Sequence, residues 1–204
     1  MEPQFWHDRW ERREIGFHMP KPHVALERHW HSLALPPGAR VFVPLAGKSL
    51  DLIWLAEHDH AVVGIELSAL AVREFAEEHP AARGIDLRCG DLFELTPETL
   101  GPIDAIFDRA SLVALPPAMR LDYATQLARL SPPGTKTLLV TMEYDQRKSR
   151  GPPHAVMPDE VHALFAATHE IRELDELTAL EDFPRMSARG VTHLAERVYL
   201  LHRR

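Results

Sequence analysis

An α/β three-layer sandwich, built on a mostly parallel seven-stranded sheet with an antiparallel last strand and an N-terminal helical cap, is the fold class this sequence predicts. From residue 41 onward, short β-branched apolar runs alternate with stretches of helical period, the pattern left when helices cross over between parallel strands. Two last apolar runs, Ile171 to Leu177 and Leu194 to Leu201, are joined by a stretch holding Pro184 and Gly190 that returns the chain antiparallel. A chain of 204 residues with 45% hydrophobic content is long enough for one sizeable core and short for two, so residues 1–204 read as a single domain.

The elements follow in order. Residues 1–35 precede the first strand and form the cap segment, in which Trp6 and Trp10, spaced i, i+4, share one helix face. The first five strands are Val41 to Val43, Ala61 to Ile65, Ile85 to Cys89, Ala105 to Phe107 and Thr137 to Thr141, and each is expected to lead into a helix. Ser49 is the candidate N-cap of the first crossover helix, with Asp51 placing negative charge in its positive first turn. Ser68 caps the second, which runs through Glu78. Pro117 suits the first turn of a later helix whose Met119, Tyr123, Leu127 and Leu130 recur on one face, and Ser131-Pro132-Pro133-Gly134 ends it. Pro158-Asp159-Glu160 opens the last helix before the sixth strand. Cys89 reads as a buried strand residue.

Charge narrows the partners. Lys plus Arg is 23 against 30 for Asp plus Glu, a formal charge of −7 that works against nucleic acid or an acidic membrane surface and points to a small-molecule partner. A monomer is expected. The single cysteine excludes an intramolecular disulfide and fits a reducing compartment. The start lacks the basic-then-apolar pattern of a secretory signal, and no apolar run approaches the ~20 residues of a membrane span, so a soluble cytoplasmic protein is expected. His29-Trp30-His31 is the densest histidine cluster, but without an acid or cysteine at ligand spacing no metal is expected.

In such a sheet the first strand-to-helix turn meets a nucleoside ligand, and here it is Val43-Pro44-Leu45-Ala46-Gly47-Lys48-Ser49. It carries one glycine, Gly47, where a dinucleotide turn uses three to approach a pyrophosphate; S-adenosylmethionine has no phosphate and needs only one. An ordinary loop glycine is the alternative. Glu66 follows Gly47 by 19 residues at the end of the second strand, near the spacing of a ribose-binding acid, or else is an exposed strand-end acid. After the third strand, Asp91 is placed to accept from an adenine amino group while Leu92 or Phe93 covers the ring, or else Asp91 caps the next turn.

The wording of the sequence is similar to the bacterial branch of the thiopurine S-methyltransferase family along nearly its whole length. The matching blocks are Phe5-Trp6 through Trp10, Glu14 through His18, Val43-Pro44-Leu45 with Gly47 through Asp51, Gly64 through Ser68 and Cys89-Gly90-Asp91. Further on come Asp108-Arg109-Ala110, Ala114 through Arg120, Tyr144-Asp145 and Gly151-Pro152-Pro153. The resemblance implies a Rossmann-like fold, S-adenosylmethionine as methyl donor with S-adenosylhomocysteine as product, and sulfur of aromatic or heterocyclic thiols as acceptor, with selenium and tellurium compounds as further acceptors. By position, Trp10, Leu45, Glu66 and Arg109 match residues the family uses around the cofactor, with Asp108 beside them, and Phe17 matches an aromatic near the acceptor. Arg109 lies where the acceptor arrives, with Tyr144 on the same side. Two departures stand out. The link Glu77 to Gly84 is shorter than the family's, and Ala46 stands where the family often has cysteine.

Sulfonium-to-sulfur transfer is an in-line displacement with a neutral leaving group, so alignment and exclusion of water matter more than a strong base. Arg109, always charged, is the candidate catalytic residue, favouring a thiolate or pairing with a ring nitrogen; a structural pair with Asp108 is the other reading. Trp10 closes over the sulfonium, its ring face favouring the cation. Two other classes stay open on the residues alone: a nicotinamide-dependent oxidoreductase, for which Glu66 serves equally, and a non-catalytic cofactor-binding module.

Overall fold

In the computed structural model, which describes residues 3–204, all seven expected strands are present and hydrogen-bond into one sheet. Met1 and Glu2, part of the start inspected for a signal, lie outside the described residues. The strands are β1 (Arg40–Val43), β2 (Ala61–Glu66), β3 (Ile85–Cys89), β4 (Ala105–Arg109), β5 (Lys136–Tyr144), β6 (His169–Thr178) and β7 (Leu194–Arg203). Their order is β3-β2-β1-β4-β5-β7-β6, with β7 antiparallel to both neighbours and the rest parallel. The chain winds outward in opposite directions from β1 and β4, so helices leave these two strands on opposite sides and a crevice opens at their carboxyl ends.

The helices are α1 (Pro3–Glu11), α2 (Val24–His29), α3 (Asp51–Glu57), α4 (Ala69–Glu78), α5 (Pro97–Leu100), α6 (Ser111–Ala114), α7 (Pro117–Leu130), α8 (Pro158–Phe165) and α9 (Pro184–Ser187). Period-two alternation along the strands feeds two cores. One face gathers Val41, Val43, Phe107, Val140 and Val198 under α2 and α3; the other gathers Phe42, Ile106, Leu139 and Tyr199 with Tyr123, Leu127 and Leu130 of α7. Each large apolar side chain so buried contributes about 1.5–3 kcal/mol. Ser68 caps α4, accepting from Ala71 N–H, as expected.

Three expectations need correction. The N-cap of α3 is Leu50, because the Ser49 hydroxyl turns to Asp51, donating to Oδ2 at 2.7 Å and accepting from its N–H at 3.2 Å. Asp51 does more than face the helix dipole: buried, it accepts from His23 N–H at 2.7 Å and ties the cap segment to α3. Between β3 and β4 there is no full crossover helix, only a 3-10 turn over Leu92–Glu94 and the four-residue α5, since Thr96-Pro97 starts a helix that Gly101 ends at once. Cys89 is exposed, because β3 is the edge strand and half its surface lacks a neighbour.

Candidate active site

At the carboxyl end of β1 the backbone turns through two left-handed residues, Leu45 (φ 46°) and Gly47 (φ 55°). For leucine that conformation costs about 1–3 kcal/mol and persists only where the surroundings enforce it. At Gly47 the reason for glycine is also spatial: a Cβ there would meet the Trp10 ring at 3.3 Å. The indole of Trp10, 2% exposed, therefore lies directly against the turn. Phe17 packs edge-on to both Trp6 and Trp10, with ring centroids 5.8 and 5.6 Å apart, so the shared face of α1 and the segment after it form one aromatic cluster over the crevice.

Glu66 ends β2 beside this turn, buried, and its two oxygens divide between two backbone donors. Gly47 N–H reaches Oε2 at 2.9 Å and Ser68 N–H reaches Oε1 at 2.8 Å. Burial pushes the carboxyl above the ordinary glutamate range, and the Ser68 and Gly47 amides oppose that rise. Asp91, after β3, accepts from Phe93 N–H at 2.9 Å, so it caps the 3-10 turn while also lining the cleft beside Leu92 and Phe93.

Arg109 ends β4 and is half-buried in the cleft wall. Among the described residues it makes no hydrogen bond or ion pair, so the structural pair with Asp108 does not form. Successive strand residues face opposite ways, and Asp108 points to the other side of the sheet, outside the cleft wall. There it is 1% exposed and accepts from Tyr123 Oη at 2.9 Å. Burial, opposed by the Tyr123 and Ser111 hydroxyls, raises its pKa to about 6. The folded state therefore holds a proton that the unfolded chain has already released, and the contribution of this group to stability falls as pH rises from about 4 to about 6, by ~3 kcal/mol. Asp108→Asn is expected to flatten that fall, read as the urea midpoint against pH. Tyr144 is likewise outside the main cleft: its hydroxyl donates to the Pro153 carbonyl at 2.6 Å, and it lines a separate cavity of about 280 Å³.

An ion cluster centred on the buried pair Lys48 and Glu74 fixes the cap segment to the turn. Lys48 Nζ lies 2.6 Å from Glu78 Oε1 and 3.1 Å from Glu74 Oε2, and Arg13, just past α1, pairs with the same Glu74. Removing the ammonium leaves a buried carboxylate short of a partner. Lys48→Met is expected to lower the melting temperature by about 5 °C and to speed tryptic cleavage at Arg12 and Arg13.

Sequence reasoning missed Glu196, a buried acid in the cleft wall, and its buried partner His23, whose Nε2 stands 2.8 Å from Glu196 Oε2. The signal was an acid on the inward face of the apolar run Leu194 to Leu201, where Leu194 and Val198 flank it. The full cleft has a volume of about 770 Å³ and brings together Trp10, Phe17, Leu45, Gly47, Glu66, Asp91, Leu92, Phe93 and Arg109, drawn from the cap and from the ends of four strands. That volume suits a nucleoside-sized ligand together with a small acceptor.

Comparison with known proteins agrees with this geometry. The sequence profile described as Thiopurine S-methyltransferase (TPMT) matches residues 1–204. A protein of Pseudomonas fluorescens (strain SBW25) named thiopurine S-methyltransferase is 46% identical over 215 aligned positions, covering 98% of this chain and 99% of the relative. One of that name from Methylococcus capsulatus (strain ATCC 33009 / NCIMB 11132 / Bath) is 42% identical, covering 98% and 97%. An alignment of 215 positions on a chain of 204 residues means that the relative carries residues with no counterpart here. Among solved structures, an S-adenosylmethionine-dependent methyltransferase from Thiobacillus denitrificans in complex with S-adenosylhomocysteine shares the fold at a TM-score of 0.66 and 17% identity, covering 96% of this chain and 97% of the other. The N-terminal domain of EvdMO1 with S-adenosylhomocysteine bound does so at 0.64 and 18%, covering 100% and 98%. The solved structures share the fold, and the family match decides the cofactor for S-adenosylmethionine over a nicotinamide. Among the described residues no helix is long and apolar enough to cross a membrane. The chain belongs to the thiopurine S-methyltransferase family, a family of S-adenosylmethionine-dependent methyltransferases.

Proposed function

We propose that this chain transfers the methyl group of S-adenosylmethionine to the sulfur of aromatic and heterocyclic thiols, thiopurines among them, with selenium and tellurium compounds as further acceptors. It acts as a cytoplasmic monomer of one domain in which residues 1–35 close over the site. One observation carries the reading: a half-buried guanidinium, Arg109, faces the cleft with no counter-charge bonded to it among the described residues. Such a group draws an anion, and a thiolate is the anion that a methyl acceptor at sulfur supplies. The names of the relatives point the same way.

The residues present fit the cofactor. Each Glu66 oxygen carries one N–H donor and so keeps a lone pair, which lets the carboxylate accept from two ribose hydroxyls at once. The Leu45 to Gly47 turn supplies backbone for the methionine end, Asp91 accepts from the adenine amino group, and Leu92 and Phe93 cover the ring. When bound, the cofactor supplies an electrophilic methyl group on a neutral leaving sulfur. Trp10 and Phe17 exclude water from that region, and Arg109 holds the acceptor sulfur as the thiolate. Labelled methyl transfer to thiophenol, a thiopurine, selenite, tellurite and halide tests the reading. Incorporation into the two sulfur compounds supports it; none into either, with S-adenosylhomocysteine still bound, overturns it.

A further inference from the structure

We infer that Glu196 selects heterocyclic thiones, taking the hydrogen bond of the acceptor's ring N–H and then its proton; the inference rests on the sulfur-acceptor reading above. Arg109 and Glu196 project from one face of the sheet. Arg109 stands level with Val140, and Val140 with Val198, so the three share a face, and Glu196 lies two residues along β7 on that face, toward the carboxyl edge of the parallel strands. Both line the cleft.

Glu196 is 6% exposed, and a buried acid needs donors. His23 satisfies one oxygen. Because His23 Nδ1 accepts from Ala25 N–H at the head of α2, the ring proton sits on Nε2 and is donated to Glu196 Oε2. Oε1 accepts from no described residue. A carboxylate oxygen of a buried residue that opens on a cleft and has no protein donor is a place for a ligand donor. Burial acts to raise this carboxyl, but the His23 hydrogen bond, the His23 ring and Arg109 outweigh it and hold the group below the ordinary glutamate range. It is thus ionised, and an acceptor only, throughout the neutral range.

An acceptor-only oxygen on the same wall as a donor-only guanidinium complements a thioamide, in which C=S sits next to N–H: sulfur lone pairs go to Arg109 and the N–H goes to Glu196. A plain aryl thiolate offers Glu196 nothing and is repelled by it. The proton balance agrees. Methylation of a neutral thione at sulfur leaves a cation whose N–H is far more acidic than that of the thione. The N–H bond breaks, its electron pair closes the ring C=N bond, and the proton passes to Oε1 and from there to water. A weakly basic carboxylate suffices because the N–H it meets is strongly acidic.

The test compares kcat/KM for pyridine-2-thione with that for thiophenol, in the wild type and in Glu196→Gln, with melting temperature and S-adenosylhomocysteine Kd as readouts independent of turnover. The thione-to-thiophenol ratio is expected to fall about 30-fold in the variant, the size of one charge-assisted hydrogen bond, with the melting temperature held. An unchanged ratio overturns the inference, whether both rates fall together, which makes Glu196 structural, or the cofactor complex weakens instead, which places it at the cofactor. A wild-type protein that methylates neither compound overturns the sulfur reading itself, and this inference with it.

Discussion

Glu66→Ala is expected to raise the Kd for S-adenosylhomocysteine about 10²–10³-fold, measured by titration calorimetry. Hydrogen bonds to a charged partner contribute about 1.5–3 kcal/mol each, and the proposed pair of ribose hydroxyls makes two of them in a site that excludes water. The truncation also strips the acceptor from Gly47 N–H and Ser68 N–H, the two amides that pin the β1 and β2 turns to each other. Because burial raises the Glu66 carboxyl, cofactor affinity in the wild type should weaken as pH falls through that raised value, where protonation removes accepting capacity. Glu66→Gln should be weak at every pH and lack this limb. A variant that binds as tightly as the wild type would remove Glu66 from the ribose site.

Much of this arrangement was legible in the sequence because its strands carry their own signal. Five β-branched runs at crossover spacing and two at hairpin spacing gave the sheet, and the observed strands extend those runs only at their ends. The glycine turn and the acid 19 residues on marked the edge where the main cleft opens, since both lie within one βαβ unit where spacing fixes position. What was not legible depended on which way a side chain points or on partners distant in sequence. Asp108 and Arg109 are adjacent in a strand and must face opposite sides, so only one of them could line the cleft; period-two alternation alone forbade assigning both. Cys89 looked buried because an edge strand and an inner strand share the same composition, and only the strand order tells them apart. The pairing of His23 with Glu196 spans 173 residues, and no local pattern announces it.

Arg109→Ala is expected to lower kcat/KM for thiophenol about 10²–10³-fold while leaving the S-adenosylhomocysteine Kd within about threefold, the magnitude seen when one preorganised donor to a reacting anion is removed. A unit charge about 4 Å from a thiolate at an effective dielectric constant near 20 is worth roughly 4 kcal/mol, enough for the upper end of that range. The same interaction favours ionised over neutral thiol in the cleft, so the wild-type pH–rate profile should rise at lower pH than the free thiol titrates. In Arg109→Ala that rise should move up toward the value of the free thiol, and Arg109→Lys, which keeps the charge but loses the planar fork, should recover part of the shift. A residue that only braced the end of β4 would lower the rate without moving the profile, because no contact it made would distinguish thiolate from thiol. The position of that profile, more than the loss of rate, therefore separates a guanidinium that acts on the acceptor from one that merely lines the wall.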